Sequence, residues 1–281
     1  MDWSFIDKVV YINLERSPDR NEKMMKVLKP FGDKVIRFNA IDLPGRGWLG
    51  CSKSHVGVLE LAIENQWKNV LILEDDVEWN HNEIAYENLK KCIETPYDVI
   101  LFGGSWSRFD TNTMKLLYSQ ATSSYLVSSH YYKTLLDNFK EGVSLLEKEY
   151  NYKFTIDRYW QSLIEKDTWY LIVPNLFYQS ATFSMIENKK VDHHSVFITN
   201  RNIIQLSELI FCVWIHYKKF ANVIDTIKSL ETNKWYKLEH TLFPVDPSPD
   251  NSKRLLISSK NKQRRVLKEG DYFLIQDGNF S

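Results

Sequence analysis

Four apolar residues, Val70-Leu71-Ile72-Leu73, run straight into three acids, Glu74-Asp75-Asp76. An unbroken apolar run of this length reads as a strand buried on both faces of a sheet. Three adjacent carboxylates cannot enter that interior, so the strand has to end at an open edge. In open α/β sheets the carboxyl edge is where ligands bind. Clustered carboxylates repel one another unless positive charge sits among them, and a divalent cation with oxygen ligands is a natural occupant. A metal held there can carry the phosphates of a nucleotide. The plainer reading is a strand exit whose acids are solvated.

The flanking pattern fits a layered fold. Residues 8–12 read as a first buried strand, and Ser17 with Pro18 as the cap and first turn of a helix through Met24, Met25, Val27 and Leu28. Residues 35–40 are a second strand. Residues 43–50 read as a glycine-rich loop close to ligand. Ser54 is placed as the cap of a helix running to Ile63. Next come a helix over 85–93, a strand over 97–102 ended by Gly103-Gly104, a short strand over 123–128 and a helix over 132–139. Residues 156–164 read as helical and 169–174 as a late strand. The alternation of strand and helix predicts an α/β domain with a mostly parallel sheet over residues 1–195. Beyond it, Ile203 to Leu230 reads as largely helical, a proline-rich loop covers 244–250, and two strand-like runs close the chain. Residues 196–281 are therefore expected to be an appended C-terminal subdomain, helical with short strands.

Composition excludes some classes. Lys+Arg and Asp+Glu both number 36, so the zero net charge argues against a general nucleic-acid binder. Cys51, Cys92 and Cys212 are scattered and odd in number, which fits neither a disulfide framework nor a thiolate zinc motif. The first residues lack the apolar core of a signal peptide, and no run approaches a membrane span. The expected location is cytoplasmic. Residues 251–269 carry seven Lys/Arg against the single acid Glu269. Such a run is a solvated face or a peripheral contact with anionic lipid or glycan.

Three segments, Tyr11-Ile12-Asn13-Leu14-Glu15-Arg16-Ser17-Pro18-Asp19-Arg20, Gly50-Cys51-Ser52-Lys53-Ser54-His55 and Leu71-Ile72-Leu73-Glu74-Asp75-Asp76-Val77, together resemble glycosyltransferase family 25. Weaker support comes from 121–127, 156–160 and 174–179. The resemblance spans about residues 6–190. It implies a GT-A type, Rossmann-like nucleotide-diphospho-sugar transferase domain, a UDP-sugar donor, and transfer with inversion to a hydroxyl of a glycan, glycolipid or glycoprotein. Galactose or glucose is the expected sugar, and Mn2+ is favoured over Mg2+ as the cofactor.

Side chains alternate along an extended segment, so Glu74 and Asp76 are expected on one side and Asp75 on the other. By resemblance, Asp76 is the principal metal ligand. Glu74 is placed on the metal or the donor ribose, and Asp75 on the donor or in a structural role. The loop of Asn13, Leu14 and Arg16 is implied to contact the nucleotide. Arg16 or Arg20 would neutralise the diphosphate, since guanidinium matches phosphate oxygens. Asp42 would hold the uridine or merely form a turn. Ser54 and His55, placed at a helix start, would lie near the diphosphate, against the alternatives of a plain cap and a buried core histidine. Asp157 matches the family's acceptor-side acid and is the candidate base, with helix capping as its alternative. A late histidine, His194 or its neighbour His193, is the third metal ligand by resemblance. Met185 stands where an acid is expected, which weakens that placement.

Three functions compete at this point. One is a metal-dependent glycosyltransferase. The second is a catalytically inactive binding module on the same fold. The third, a nucleotidyl transferase, lacks a glycine-rich phosphate loop.

Overall fold

The computed structural model describes residues 1–184, 189–191, 196–249, 251–260 and 263–277. The chain divides into two compact units. The first comprises Met1–Asp110 and Met114–Phe197; the second comprises Thr111–Thr113 and Ile198–Ser281.

The first unit is built on a six-stranded sheet. Its elements are β1 (Lys8–Asn13), α1 (Pro18–Val27), β2 (Val35–Asn39), α2 (Gly47–Glu64), β3 (Asn69–Glu74), β4 (Val77–Trp79), α3 (Glu83–Ile93), β5 (Val99–Phe109), β6 (Leu116–Ser128), α4 (Tyr132–Lys148), α5 (Ile156–Tyr159), α6 (Gln161–Ile164) and β7 (Trp169–Leu171). Three short strands close it: β8 (Phe177–Gln179), β9 (Thr182–Ser184) and β10 (Lys189–Val191). The sheet order is β2-β1-β3-β6-β5-β7, parallel throughout except for β6, which runs against both neighbours. The α/β class with a mainly parallel sheet is as expected.

The apolar strands explain the layering. Val9, Tyr11, Leu71 and Leu73 pack on one face with Met24 of α1 and Leu89 of α3. Val10, Val70 and Ile72 alternate to the other face, where α2 and α4 pack together. Each such buried aliphatic side chain contributes about 1.5–3 kcal/mol. With both faces covered, only the strand ends reach solvent, and the acids after Leu73 lie at one of them.

Several expected boundaries shift. β5 does not stop at Gly103-Gly104 but continues to Phe109 with irregular pairing. A Cβ at Gly103 would lie 2.1 Å from the Phe177 carbonyl oxygen, so this glycine permits a close approach of β8 rather than ending a strand. The helix α2 begins at Gly47, seven residues before Ser54, and absorbs half of the expected loop. Ser17 does sit at the N-cap of α1, with Pro18 in the first turn, but its side chain makes no capping bond.

The second unit is mostly β. It holds β11 (Ile203–Gln205), β12 (Leu209–His216), β13 (Lys219–Asn222), α7 (Ile224–Ser229), β14 (Lys234–Lys237), β15 (Arg254–Ser259), β16 (Arg264–Lys268) and β17 (Tyr272–Gln276). These form sheets of order β11-β17-β14 and β13-β12-β15-β16 around Trp214, Leu255, Ile257 and Phe273. The expected helix over Ile203–Leu230 is therefore wrong except for six residues. A pairing irregularity between Leu209 and Phe211 breaks the period-two alternation and leaves Ile210 and Phe211 both exposed, so the strand pattern is hidden in the sequence. Its aromatic and β-branched content is the better guide.

The basic segment 251–269 is not uniform. Lys253 is buried against Trp214 and paired with Asp246, and Arg265 donates to the Arg201 and Ile203 carbonyls. Arg254, Arg264 and Lys268 remain exposed. No helix among the described residues is long and apolar enough to cross a membrane.

Candidate functional site

A cleft of about 460 Å³ opens at the carboxyl edge of the first unit's sheet, lined by Glu74, Asp75 and Asp76 from the end of β3. Its walls come from the segments after β1 and β2, from α2, from β5 and β6, and from the start of α5.

The acids divide as their alternation requires. Gln179 Nε2 lies 3.3 Å from both Glu74 Oε2 and Asp76 Oδ1, so those two carboxylates share one side. The antiparallel β4–β8 pair, with Val77 opposite Gln179, sets that amide in place. Asp75 turns the other way. It accepts from Arg20 Nη1 at 2.7 Å and from Asn13 Nδ2 at 2.7 Å, and is 8% exposed.

Charge is unevenly held. Burial and the neighbouring Glu74 carboxylate raise the Asp76 pKa to about 7, with Asp75 adding to the rise and Arg20 opposing it. Burial also works against ionisation of Glu74, but His55, the Thr122 hydroxyl at 2.6 Å and Arg20 outweigh it and hold its pKa below the ordinary value. Two oxygen donors on one side, crowded and short of positive charge, suit a hard divalent cation. Glu74 and Asp76 are the residues that could hold it.

The other expected residues fall in several places. Leu14, Arg16 and Asp42 line the cleft, with Arg16 and Asp42 in a two-pronged ion pair at 2.6 and 3.1 Å. Asn13 is not part of the wall. It is wholly buried, donating to Ser17 and Asp75 and accepting from Arg37 Nε, and it braces the acid rather than facing a ligand.

Ser54 and His55 are inside α2 rather than at its start, so no helix N-terminus reaches an anion through them. Ser54 Oγ donates to the Gly50 carbonyl and accepts from Ile41 N, tying the segment after β2 to the helix. Gly50 allows that approach, since a Cβ there would lie 2.4 Å from the Ile41 oxygen. His55 is fully buried, with Nδ1 2.7 Å from Tyr125 Oη rather than bonded to backbone. Asp157 reaches the cleft from the first turn of α5, accepting from Thr155 Oγ1 and from Ala121 N. His193, His194 and Met185 lie outside the described residues.

Some wall residues escaped the sequence reading. Cys51 lines the cleft, and its Sγ, a His55 ring nitrogen and a Glu74 oxygen all lie within 4.8 Å of one another. Burial and the surrounding acids push the Cys51 thiol well above its ordinary pKa. Trp48 and Tyr150 meet with ring centroids 4.6 Å apart at the wall, and Trp106 is 61% exposed there. Such rings are platforms for a base or a sugar. Trp106 and Ala121 both carry positive φ, 54° and 68°. That strain, at residues lining a cleft, is a recognised mark of a functional site. The abundance of aromatics was the one sequence signal for these positions.

Residues 45–155, which include the second helix, the three acids and β6, match the model of glycosyltransferase family 25 (LPS biosynthesis protein). A glycosyltransferase 25 family member of Drosophila melanogaster is 30% identical over 35% of this chain and 21% of its own length. One from Drosophila pseudoobscura pseudoobscura is 30% identical over 35% and 20%. The chain thus spans about a fifth of the length of the curated relatives it matches. Among solved structures, a glycosyltransferase involved in the glycosylation of the major capsid of PBCV-1 is similar at 13% identity and a TM-score of 0.36, over 58% of this chain and 80% of that one. The family-model match and the two curated relatives agree that the part of this chain around residues 45–155 is similar to glycosyltransferase family 25.

Proposed function

We propose that the first unit transfers a hexose, galactose or glucose, from a UDP-sugar to a hydroxyl of a glycan, glycolipid or glycoprotein, with inversion at the anomeric carbon. The observation that carries this reading is the meeting of Glu74 and Asp76 with Asp157, Arg16 and Asp42 in one cleft at the sheet's carboxyl edge. Asp42 and Arg16 would exchange their mutual ion pair for the uridine and the diphosphate. Trp48, Tyr150 and Trp106 offer flat surfaces for the sugar or base. Asp157 would take the proton of the acceptor hydroxyl. The freed oxygen attacks the anomeric carbon, and the bond from that carbon to the β-phosphate oxygen breaks, releasing UDP. Glu74 and Asp76 would hold Mn2+ or Mg2+, which when bound stabilises the negative charge on departing UDP. The side of β15–β16 carrying Arg254, Arg264, Lys268 and the half-exposed Val266 would give peripheral contact with anionic lipid.

A thermal-shift series with UDP-galactose, UDP-glucose and UDP, each with and without manganese, tests the donor site. A ligand that binds only the folded state raises the melting temperature. The expected result is a manganese-dependent rise with one UDP-sugar that is lost in Asp76→Ala. No rise with any of them, on folded protein, would reject the donor reading. Binding of a UDP-sugar with no manganese-dependent release of UDP, with or without acceptor, would favour a binding module that has lost turnover. Vesicles of neutral lipid with and without phosphatidylglycerol test the lipid contact by co-sedimentation, and equal binding to both would reject it.

A further inference from the structure

We infer that Cys51, His55 and Glu74 form a site for a thiophilic divalent cation such as zinc, distinct in chemistry from the oxygen-only pair of Glu74 and Asp76. Cys51 and His55 are four residues apart on α2, so they lie one above the other on a single helix face. Glu74, at the end of β3, faces them from the sheet. The three potential ligand atoms lie within 4.8 Å of one another.

The state of His55 is the independent sign of a ligand. Its ring is 0% exposed, and Nε2 has no hydrogen-bond partner. A buried ring nitrogen left in that condition is costly. Nε2 lies 3.5 Å from Glu74 Oε1, too long for a hydrogen bond. It is, however, close to the separation of about 3.4 Å between neighbouring nitrogen and oxygen ligands of a tetrahedral zinc ion. The other ring nitrogen, Nδ1, is 2.7 Å from Tyr125 Oη. With a cation bound, Nδ1–H would donate to that phenol oxygen and leave the Nε2 lone pair, on the side of Glu74, for the ion. Metal-bound histidines are held in the same way, by a hydrogen bond at the far nitrogen. Tyr125 is thus a positioning residue.

The set contains sulfur, nitrogen and oxygen, which suits zinc or cobalt and suits magnesium poorly. On binding, the Cys51 S–H proton passes to solvent as the sulfur–metal bond forms. Side-chain rotation of Cys51 or Glu74 closes the remaining distance. Cys51, His55 and Glu74 all line the cleft, so an ion held by them would be reachable from it.

Cobalt titration of the metal-free protein tests this inference. A cobalt–thiolate charge-transfer band should appear at one equivalent and be bleached by zinc. Cys51→Ser should abolish the band, and Asp76→Ala should keep it, because Asp76 is outside this ligand set. Tyr125→Phe should weaken cobalt binding about 10- to 100-fold. One equivalent of zinc should also protect Cys51 from iodoacetamide in the wild-type protein, read by peptide mass spectrometry, which needs no variant to fold. Absence of the band in the wild type, its survival in Cys51→Ser, or unchanged alkylation with zinc overturns the proposal. The readouts do not involve a sugar donor, so they stand apart from the transferase reading. Loss of the band in Asp76→Ala with Cys51→Ser unaffected would assign cobalt to the oxygen pair instead and also overturn it.

Discussion

Replacing Asp76 by asparagine should stabilise the metal-free protein, and should do so most at neutral and higher pH. Asp76 is crowded by Glu74 and Asp75 and is desolvated, so its pKa rises from 3.8 to about 7 on folding. The folded state therefore holds the proton more tightly than the unfolded chain. Stability is greatest below about pH 4 and falls as pH rises through about 7, and the full penalty is felt above that. At about 1.4 kcal/mol for each pH unit between the two values, the ceiling is about 4 kcal/mol. Water in the cleft and side-chain relaxation reduce this, and about 1–3 kcal/mol is the expected gain for Asp76→Asn at pH 8. In a unit of this size that is a rise of roughly 3–8 °C in melting temperature. The gain should shrink to about a third at pH 5, where the native aspartic acid is already protonated. The assay is thermal unfolding by circular dichroism in chelator-treated buffer at both pH values. Manganese should then reverse the order at pH 8 by stabilising the wild type alone. An Asp76→Asn variant that is neutral or less stable than wild type at pH 8 without metal would refute the argument from crowded, desolvated carboxylates.

Three further outcomes are expected from the geometry. Asp157→Asn should lower kcat for transfer about 10²- to 10⁴-fold while leaving the donor KM near its wild-type value; steady-state kinetics decides, and an unchanged kcat removes Asp157 as the base. Arg20→Ala strips the buried Asp75 of its ion-pair partner at 2.7 Å and should cost about 3 kcal/mol in urea unfolding, whereas a loss under about 0.5 kcal/mol would mean that Asn13 alone suffices. Gly50→Ala forces a methyl toward the Ile41 oxygen 2.4 Å away, with an expected cost of about 1–3 kcal/mol and weaker donor binding, read by denaturation and by thermal shift with UDP.

The residues legible in the sequence share a physical cause. Val70–Leu73 and the acids after it announced a buried strand and its open end, because burial on both faces demands an unbroken apolar run and bars carboxylates from the interior. The split of Glu74 and Asp76 from Asp75 came from the two-residue period of an extended chain. Residues 203–230 failed because one pairing irregularity near Phe211 shifts the phase of the pattern, and the partner strand that creates it is distant in sequence, at Ser258 and Ser259. Ser54 failed because a serine inside a helix and a serine at its cap look alike in one dimension; Ile41, whose N–H the hydroxyl accepts, belongs to a separate segment of the chain.

The sequence by itself determined the local facts: which segments must be buried, where the first sheet meets solvent, and that acids gather there. Tertiary structure alone decided which groups meet. It paired Arg16 with Asp42, gave Asp75 to Arg20 and Asn13, set Gln179 between Glu74 and Asp76, and brought Cys51 and His55 to Glu74. Periodicity encodes the face on which a side chain lies, whereas charge state and ligand geometry depend on neighbours that the chain brings together from β3, β8, α1 and α2 only after it folds.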